Sequence, residues 1–420
     1  MKIIHVAVLS VIGLATGCTS INSTSFDNMS SVYRQAVEEY GNNNILLNIV
    51  RASKDMPMSF LDMPSVIGTG QVTATAGVSA TQSAGTNSVP PSITGGSLGL
   101  TVNNGFTFSQ GSLDNAQFMS SFLKEIPLGV LGFRGTERLM PKAVTYSLLI
   151  ESVEFHYNNA VVRRFNNDPL DPNYADFQQV LYTLIEAGLT VENATFKTPI
   201  GPAFESSHLS KSLDSWGAPV IDGLSKGSLS FEKVKVKGRE LYQLTRNDVK
   251  TRACVNKFRS EQLMGNLLGE SAFCQDTIMH PRTDEKYTSV MRNLIGNKAG
   301  NKTFEMVIGI RSPGNTFDFL GAVVNAQFGL NGAKEVMIQP SSSVIDSYNQ
   351  HFKAPHALFK VYKNENISNP VASVSYKGVT YALSDDDDSY SKQVMEFMST
   401  LISVAKIPGA IPQSPAVIVR

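Results

Sequence analysis

The chain has 420 residues, enough for two or three domains, and its 36 basic residues balance 36 acidic ones. A net charge of zero gives no sign of the basic footprint on which nucleic-acid binding depends. Charged residues make up only 17%, below the ordinary quarter. No stretch beyond the first twenty residues is apolar for long enough to cross a bilayer as a helix.

Residues 1–17 have the form of a signal peptide. Lys2 is followed by an apolar run over 3–14 and then by Ala15, Thr16, Gly17 and Cys18. The run is too short for a mature transmembrane helix, and small residues stand before the cut. Small residues directly before a cysteine resemble a lipobox, although Ala15 stands where leucine is usual. The resemblance implies lipidation at Cys18. Thr19 in place of an aspartate implies the inner leaflet of an outer membrane, with the chain facing the periplasm. An ordinary secretory signal that happens to contain a cysteine is the alternative. A triacylated cysteine is anchor enough for a folded domain.

Residues 18–64 are expected to hold a Ser/Thr/Asn-rich tether and two helices. The first covers 30–40, is stopped by Gly41 and the asparagines after it, and is followed by a short buried helix over 45–52. Residues 65–112 carry the most informative pattern. Val66, Gly68, Gly70, Val72, Ala74, Ala76, Val78 and Ala80 alternate with Ile67, Thr69, Gln71, Thr73, Thr75, Gly77, Ser79 and Thr81. After a Ser/Gly/Pro loop, Leu98, Leu100, Val102, Phe106 and Phe108 alternate with Ser97, Thr101, Asn103 and Thr107. A period of two marks strands with one apolar and one polar face. Neither run contains a charge, whereas exposed strand edges usually carry Lys or Glu. Two readings follow. The hairpin lies on a soluble core, or it enters the outer membrane as one contribution to a barrel shared between identical subunits, since one hairpin cannot close a barrel.

Residues 113–250 read as an α+β domain, mainly helical as far as 165, with a helix over 144–157 closed by Asn158 and Asn159. An amphipathic helix over 174–187 ends at Gly188. An irregular stretch over 199–223 leads to strands at 228–236 and 241–245. Residues 251–300 form a segment bracketed by Cys254 and Cys274, which are expected to pair in an oxidising compartment. Residues 301–406 form a second α+β domain. It contains a strand over 304–310 and a helix capped by Ser312 with Pro313 in its first turn. Strands at 357–362, 372–376 and 379–383 precede a last helix over 389–405. Residues 407–420 are an extended tail with three prolines. The fold class is α+β, mixed helices and antiparallel hairpins.

The segments LLNIVRASKDMPMSF (46–60), QFMSSFLKEIPLGVL (117–131), GIRSPGNTFDFLGAVV (309–324) and VSYKGVTYAL (374–383), together with the lipobox, resemble an outer-membrane lipoprotein family of Gram-negative bacteria of uncharacterised function. The resemblance implies an envelope lipoprotein of shared architecture and transfers no catalytic residue.

Chemical motifs are sparse. Residues 296–303, GNKAGNKT, lack the glycine directly before the lysine that a phosphate loop requires. Residues 269–273, GESAF, begin like a nucleophile elbow, but Phe273 replaces the closing glycine. The histidines are scattered. Asp385, Asp386, Asp387 and Asp388 form an acidic cluster in which Asp385 and Asp387 are candidate Ca²⁺ ligands. Carboxylates before a helix N-terminus explain them equally. Arg311 before a helix start could face an anion or an internal partner. The chain therefore reads as a non-enzymatic envelope lipoprotein without a cofactor. Its partners would be outer-membrane lipid through Cys18, and envelope proteins or further copies of itself. The alternative is an oligomeric outer-membrane channel.

Overall fold

The structure is a computed structural model that describes residues 23–78, 96–113, 115–132, 140–208, 217–275, 290–295, 302–339 and 354–406. Cys18, the hairpin loop, Trp216, most of the 296–303 turn and the 407–420 tail lie outside the described residues. The fold is α+β, with helices and small antiparallel sheets. Contacts divide it into two units. One comprises residues 1–44, 58–121 and 403–420, the other residues 45–57 and 122–402.

In the first unit, helix α1 (Ser23–Ala52) begins and hairpin strands β1 (Leu61–Val78) and β2 (Gly96–Ser112) pair along their length. Helix α2 (Ala116–Leu123) follows, with Asn115 Oδ1 accepting from the N–H groups of Gln117 and Phe118. Phe60 and Phe118 are buried with ring centroids 5.6 Å apart, and the Leu113 N–H donates to the Phe60 carbonyl. These contacts close the base of the hairpin.

Two helices were expected where α1 is one. Glycine and asparagine cost helix only about 0.5–1 kcal/mol each. Burying Ile45, Leu46, Ile49 and Val50 returns roughly 1.5–3 kcal/mol per side chain, so the helix runs through Gly41. A Cβ at Gly41 would meet nothing within 4 Å.

The second unit is organised around a helix-to-strand transition with no turn in it. Helix α3 (Lys142–Leu149) passes directly into strand β3 (Ile150–Tyr157). The expected single helix over 144–157 is therefore wrong from Ile150 onward. Beyond it, Asn158 and Asn159 adopt φ of 52° and 61°, the left-handed pair of a tight hairpin turn, and lead into β4 (Ala160–Asn166). The sheet order is β4-β3-β8, with β8 at Glu305–Ile310.

Arg311, the next residue, supplies what the broken helix lacks. The last carbonyls of a helix have no partner within it. Here Arg311 Nη1 donates to the carbonyls of Ser147 (3.1 Å), Leu148 (2.8 Å) and Ile150 (3.0 Å). Its backbone N–H takes Leu149, and Nη2 takes the Asn167 carbonyl. Asn167 Nδ2 adds bonds to the carbonyls of Ser147 (2.8 Å) and Ile150 (2.7 Å). The guanidinium is 3.9 Å from the Phe319 ring centroid, and the residue is 3% exposed. Burial pushes its pKa down to about 10, so it is still a cation at neutral pH, set against the negative end of the helix dipole.

Helix α8 (Pro313–Gln327) starts at Ser312, whose Oγ accepts from the Asn315 N–H, as the sequence pattern requires. Between α3 and α8 the chain runs through α4 (Tyr174–Glu186), β5 (Thr190–Phe204), α5 (Ala218–Ser225), β6 (Leu229–Val236), β7 (Arg239–Cys254), α6 (Lys257–Met264) and α7 (Val290–Ile295). Helix α4 ends at Gly188 with φ of 80°. Strand β5 continues through Pro199 and Pro202, against the expected irregular stretch. It is an edge strand in the order β5-β7-β6, where a missing N–H breaks no ladder.

After α8 come the short strands β9 (Met337–Ile338), β10 (His356–Ala357) and β11 (Tyr362–Lys363). The expected strand over 357–362 is thus reduced to its two ends. Leu358, Phe359 and Val361 are all buried between them, which a two-faced strand would not allow. Strands β12 (Pro370–Tyr376) and β13 (Val379–Ser384) turn at Lys377 and Gly378, and α9 (Ser391–Ala405) closes the described fold.

Three substitutions check this account. Arg311→Met leaves the carbonyls of Ser147, Leu148 and Ile150 short of partners and is expected to destabilise by about 3–5 kcal/mol in urea titration. Gly321→Ala places a Cβ 2.7 Å from the Ser53 nitrogen and 2.8 Å from the Ala52 carbonyl carbon, so overpacking of about 1–3 kcal/mol is expected. Gly41→Ala is expected to raise stability by about 0.5–1 kcal/mol. A loss there would mean that the helix is interrupted at Gly41.

Candidate functional site

The hairpin is the strongest candidate because its backbone register converts a sequence pattern into a two-faced object. The ladder is unbroken from Ser65↔Ser109 to Val78↔Gly96. Residues directly opposite each other lie on the same face of an antiparallel pair. Val66 opposes Phe108, Gly68 opposes Phe106, Val72 opposes Val102, Ala74 opposes Leu100 and Ala76 opposes Leu98. On the other face Thr73 opposes Thr101, Gln71 opposes Asn103 and Ile67 opposes Thr107. The apolar sets of the two strands therefore largely coincide, with two exceptions: Asn104 opposite Gly70 on the apolar face and Ile67 opposite Thr107 on the polar one.

The 18 residues of β1 extend roughly 60 Å at about 3.3 Å per residue. A bilayer's hydrocarbon core is about 30 Å thick, which a tilted strand crosses in about 9–11 residues. The hairpin is long enough with residues to spare. It forms a sheet of two strands by itself, an assembly marginal in water unless it gains further strands or a cover. Asp62, beside the register shift at the base, is the single formal charge on either strand. No helix among the described residues is long and apolar enough to cross a membrane.

The other candidate residues fall elsewhere. Cys254 and Cys274 form a disulfide with their Cα atoms 5.0 Å apart. Glu192 approaches the two sulfurs closely enough to suggest a metal site. The donor set does not fit one. The sulfurs are bonded to each other, and both carboxylate oxygens are engaged. Glu192 Oε1 accepts from Arg252 Nε (2.9 Å) and Nη2 (2.7 Å), and Oε2 accepts from the Gln275 N–H (2.9 Å). Arg252 also donates to the carbonyls of Ser271 and Phe273. Sequence reading found the disulfide and missed the Glu192–Arg252 pair beside it. The opposed positions of the two residues in β5 and β7 would have been its signal.

Asp385 and Asp387 do not converge on a common point. Asp385 Oδ1 pairs with Lys392 Nζ at 3.0 Å. Asp387 Oδ1 accepts from the Ser389 N–H (3.0 Å) and Oγ (2.5 Å), and Ser389 Oγ lies 2.6 Å from Ser391 Oγ. The arrangement fastens the approach to α9. Arg311 faces no anion, since its donors are spent on carbonyls. His156 is paired with Glu154 at 2.8 Å, and His356 meets the Tyr390 ring edge-on. Ser271 lies in a 3₁₀ turn, Glu270–Ala272, not in the strand-to-helix elbow that a nucleophile uses.

One open cleft of about 590 Å³ lies beside the β6–β7 turn. Phe204, Val236 and Leu241 line it with Glu205, His208 and Arg239, and Arg239 approaches Glu205 to 3.8 Å. Among the described residues its lining includes no hydroxyl or thiol nucleophile.

No protein-family model, no curated protein and no solved structure matches the chain.

The disulfide closes a loop with a sequence separation of 20. Replacing both cysteines by alanine is expected to cost about 3 kcal/mol by loop entropy, read as a lowered urea midpoint. An unchanged midpoint would show that the Arg252 bonds hold the segment unaided.

Proposed function

We propose that the protein is a non-enzymatic lipoprotein of the cell envelope. Cys18 carries the lipid, the outer membrane is the anchor, and the folded units face the periplasm. Its work is structural: it assembles with envelope proteins or with further copies of itself, and it requires no cofactor. The lipobox-like opening supports the anchor. Commitment of the candidate catalytic and ligating side chains to internal bonds is compatible with a scaffold.

The hairpin register favours a more specific form of this reading, a homo-oligomeric outer-membrane channel. Each subunit would donate residues 66–110 to a shared barrel. Two strands with coincident apolar faces and uncharged polar faces meet the requirement of a membrane strand, apolar toward lipid and polar toward the lumen. Among the described residues each strand keeps one unpaired edge, and edges in a bilayer must be closed by other strands.

Membrane extraction followed by size exclusion with light scattering tests both forms, on the wild type and on a variant lacking residues 66–110. The channel reading expects the wild type to need detergent and to run as a ring-sized oligomer that the deletion reduces to monomers. Monomers in both samples, with a soluble Cys18→Ser form, would leave a tethered periplasmic scaffold and remove the channel.

A further inference from the structure

The polar face of the hairpin specifies what such a channel would pass, and this inference rests on the channel reading. From Met63 to Leu113 the sequence has no Asp, Glu, Lys or Arg. The register places Thr69, Gln71 and Thr73 of β1 on one face with Thr101, Asn103 and Thr107 of β2. Hydroxyls and amides therefore recur along the ladder, like stands opposite like in Thr73↔Thr101 and Gln71↔Asn103, and the interruptions, Ile67 opposite Thr107 and Gly105 opposite Thr69, carry no charge either. The second copy that closes each free edge carries the same face, so neighbouring subunits would extend one uncharged polar wall around the barrel.

We infer that the pore is a size filter without charge selection, open to polar solutes and to small ions of either sign. Selectivity in barrel pores comes from rings of charged side chains or from constrictions. A lumen of hydroxyls and amides hydrates a passing solute and offers no fixed charge to sort it. Asp62 is the exception, and it sits at the base of the hairpin beside the register shift, away from the central rows. A soluble scaffold would gain nothing from excluding charge from a polar face. A solvated face ordinarily carries charges, because they maintain solubility and deter edge pairing. Absence of charge from both faces is what an inward-facing, neutral wall requires.

The test uses the full-length lipidated protein, purified in detergent and reconstituted in planar bilayers under a KCl gradient. The expected K⁺ to Cl⁻ permeability ratio lies within about two-fold of unity. Thr73→Cys then supplies a reactive position on the polar face, since the native cysteines are committed to the proposed lipid at Cys18 and to the disulfide. A cationic methanethiosulfonate, added after assembly, is expected to lower the K⁺ current and shift the ratio toward Cl⁻ by at least about three-fold. Val72→Cys, on the apolar face, is expected to leave the ratio unmoved by the same reagent.

Three results are informative. Currents with the expected ratio and a response confined to Thr73→Cys support the inference. Currents that are strongly ion-selective in the wild type, or that respond at Val72→Cys and not at Thr73→Cys, overturn it while leaving a channel in place. Absence of both rings and currents from the wild type removes the channel reading, and the neutral lumen with it.

Discussion

Arg311 is the interaction on which the second unit depends. A helix that turns directly into a strand leaves its last carbonyls buried and unpaired, and each such group costs about 1–3 kcal/mol if nothing bonds to it. Chains usually solve this with a glycine cap beyond the last turn. Here α3 has neither glycine nor turn. A guanidinium arrives from a residue about 160 positions later and donates to Ser147, Leu148 and Ile150 at once. Lysine would not replace it, because one ammonium could not also take the Asn167 carbonyl that Nη2 bonds while lying flat on the Phe319 ring. No carboxylate bonds the guanidinium. The aligned carbonyls and the face of Phe319 take that part, so a buried cation is tolerated without a salt bridge.

From that point the helix α8 gathers the rest of the unit. Gly314 lets Phe122 approach to where a Cβ would be tight at 3.0 Å, and Gly321 lets the end of α1 approach so closely that a Cβ would collide at 2.7 Å. Asn325 Nδ2 donates to the Ser53 carbonyl, and the Ile126 N–H donates to the Arg311 carbonyl. At its far end Gln327 exchanges two bonds of 2.9 Å with the backbone of Val361, and the following strand β11 pairs with β13. Residues from 46–60, from 117–131 and from the stretch before β11 thus meet on one helix, where its glycines and amides have packing roles.

Much of this was legible from residues close in sequence, and the failures share one cause. The Ser312–Pro313 start of α8, the Gly188 stop of α4 and the Lys377–Gly378 turn follow from local backbone preference, and each stands where the pattern puts it. The helix expected over 144–157 fails because its second half is decided by Arg311 and Asn167, which no window around Ile150 contains. The break expected at Gly41 fails because burial of Ile45 and Leu46 outweighs a local penalty. The strand over 199–204 was missed because proline was judged without knowing that β5 is an edge. Likewise the Glu192–Arg252 pair is a fact of register between β5 and β7, and register is not written in either strand alone.

The hairpin reverses that relation, since its period of two was plain and only the alignment of the two runs was missing. A slip of one residue in register would have set Val72 against an odd-numbered polar position and mixed the faces. The observed pairing keeps them separate along the ladder except at Asn104 and Ile67. Separation of faces alone would suit a ribbon lying on any apolar surface. The edges are the stronger constraint. A ribbon of two strands has an open row of backbone groups on each side, and no surface beneath it can pair them. Soluble proteins blunt such rows with lysine, proline or short strands, and here Pro64 and Asp62 stand only at the base. Copies of the same ribbon close both rows together, because the free edge of β1 in one copy can meet that of β2 in the next. The alternation then continues around a ring without a seam. In the proposed channel one sequence would satisfy the backbone, the lipid-facing surface and the lumen together.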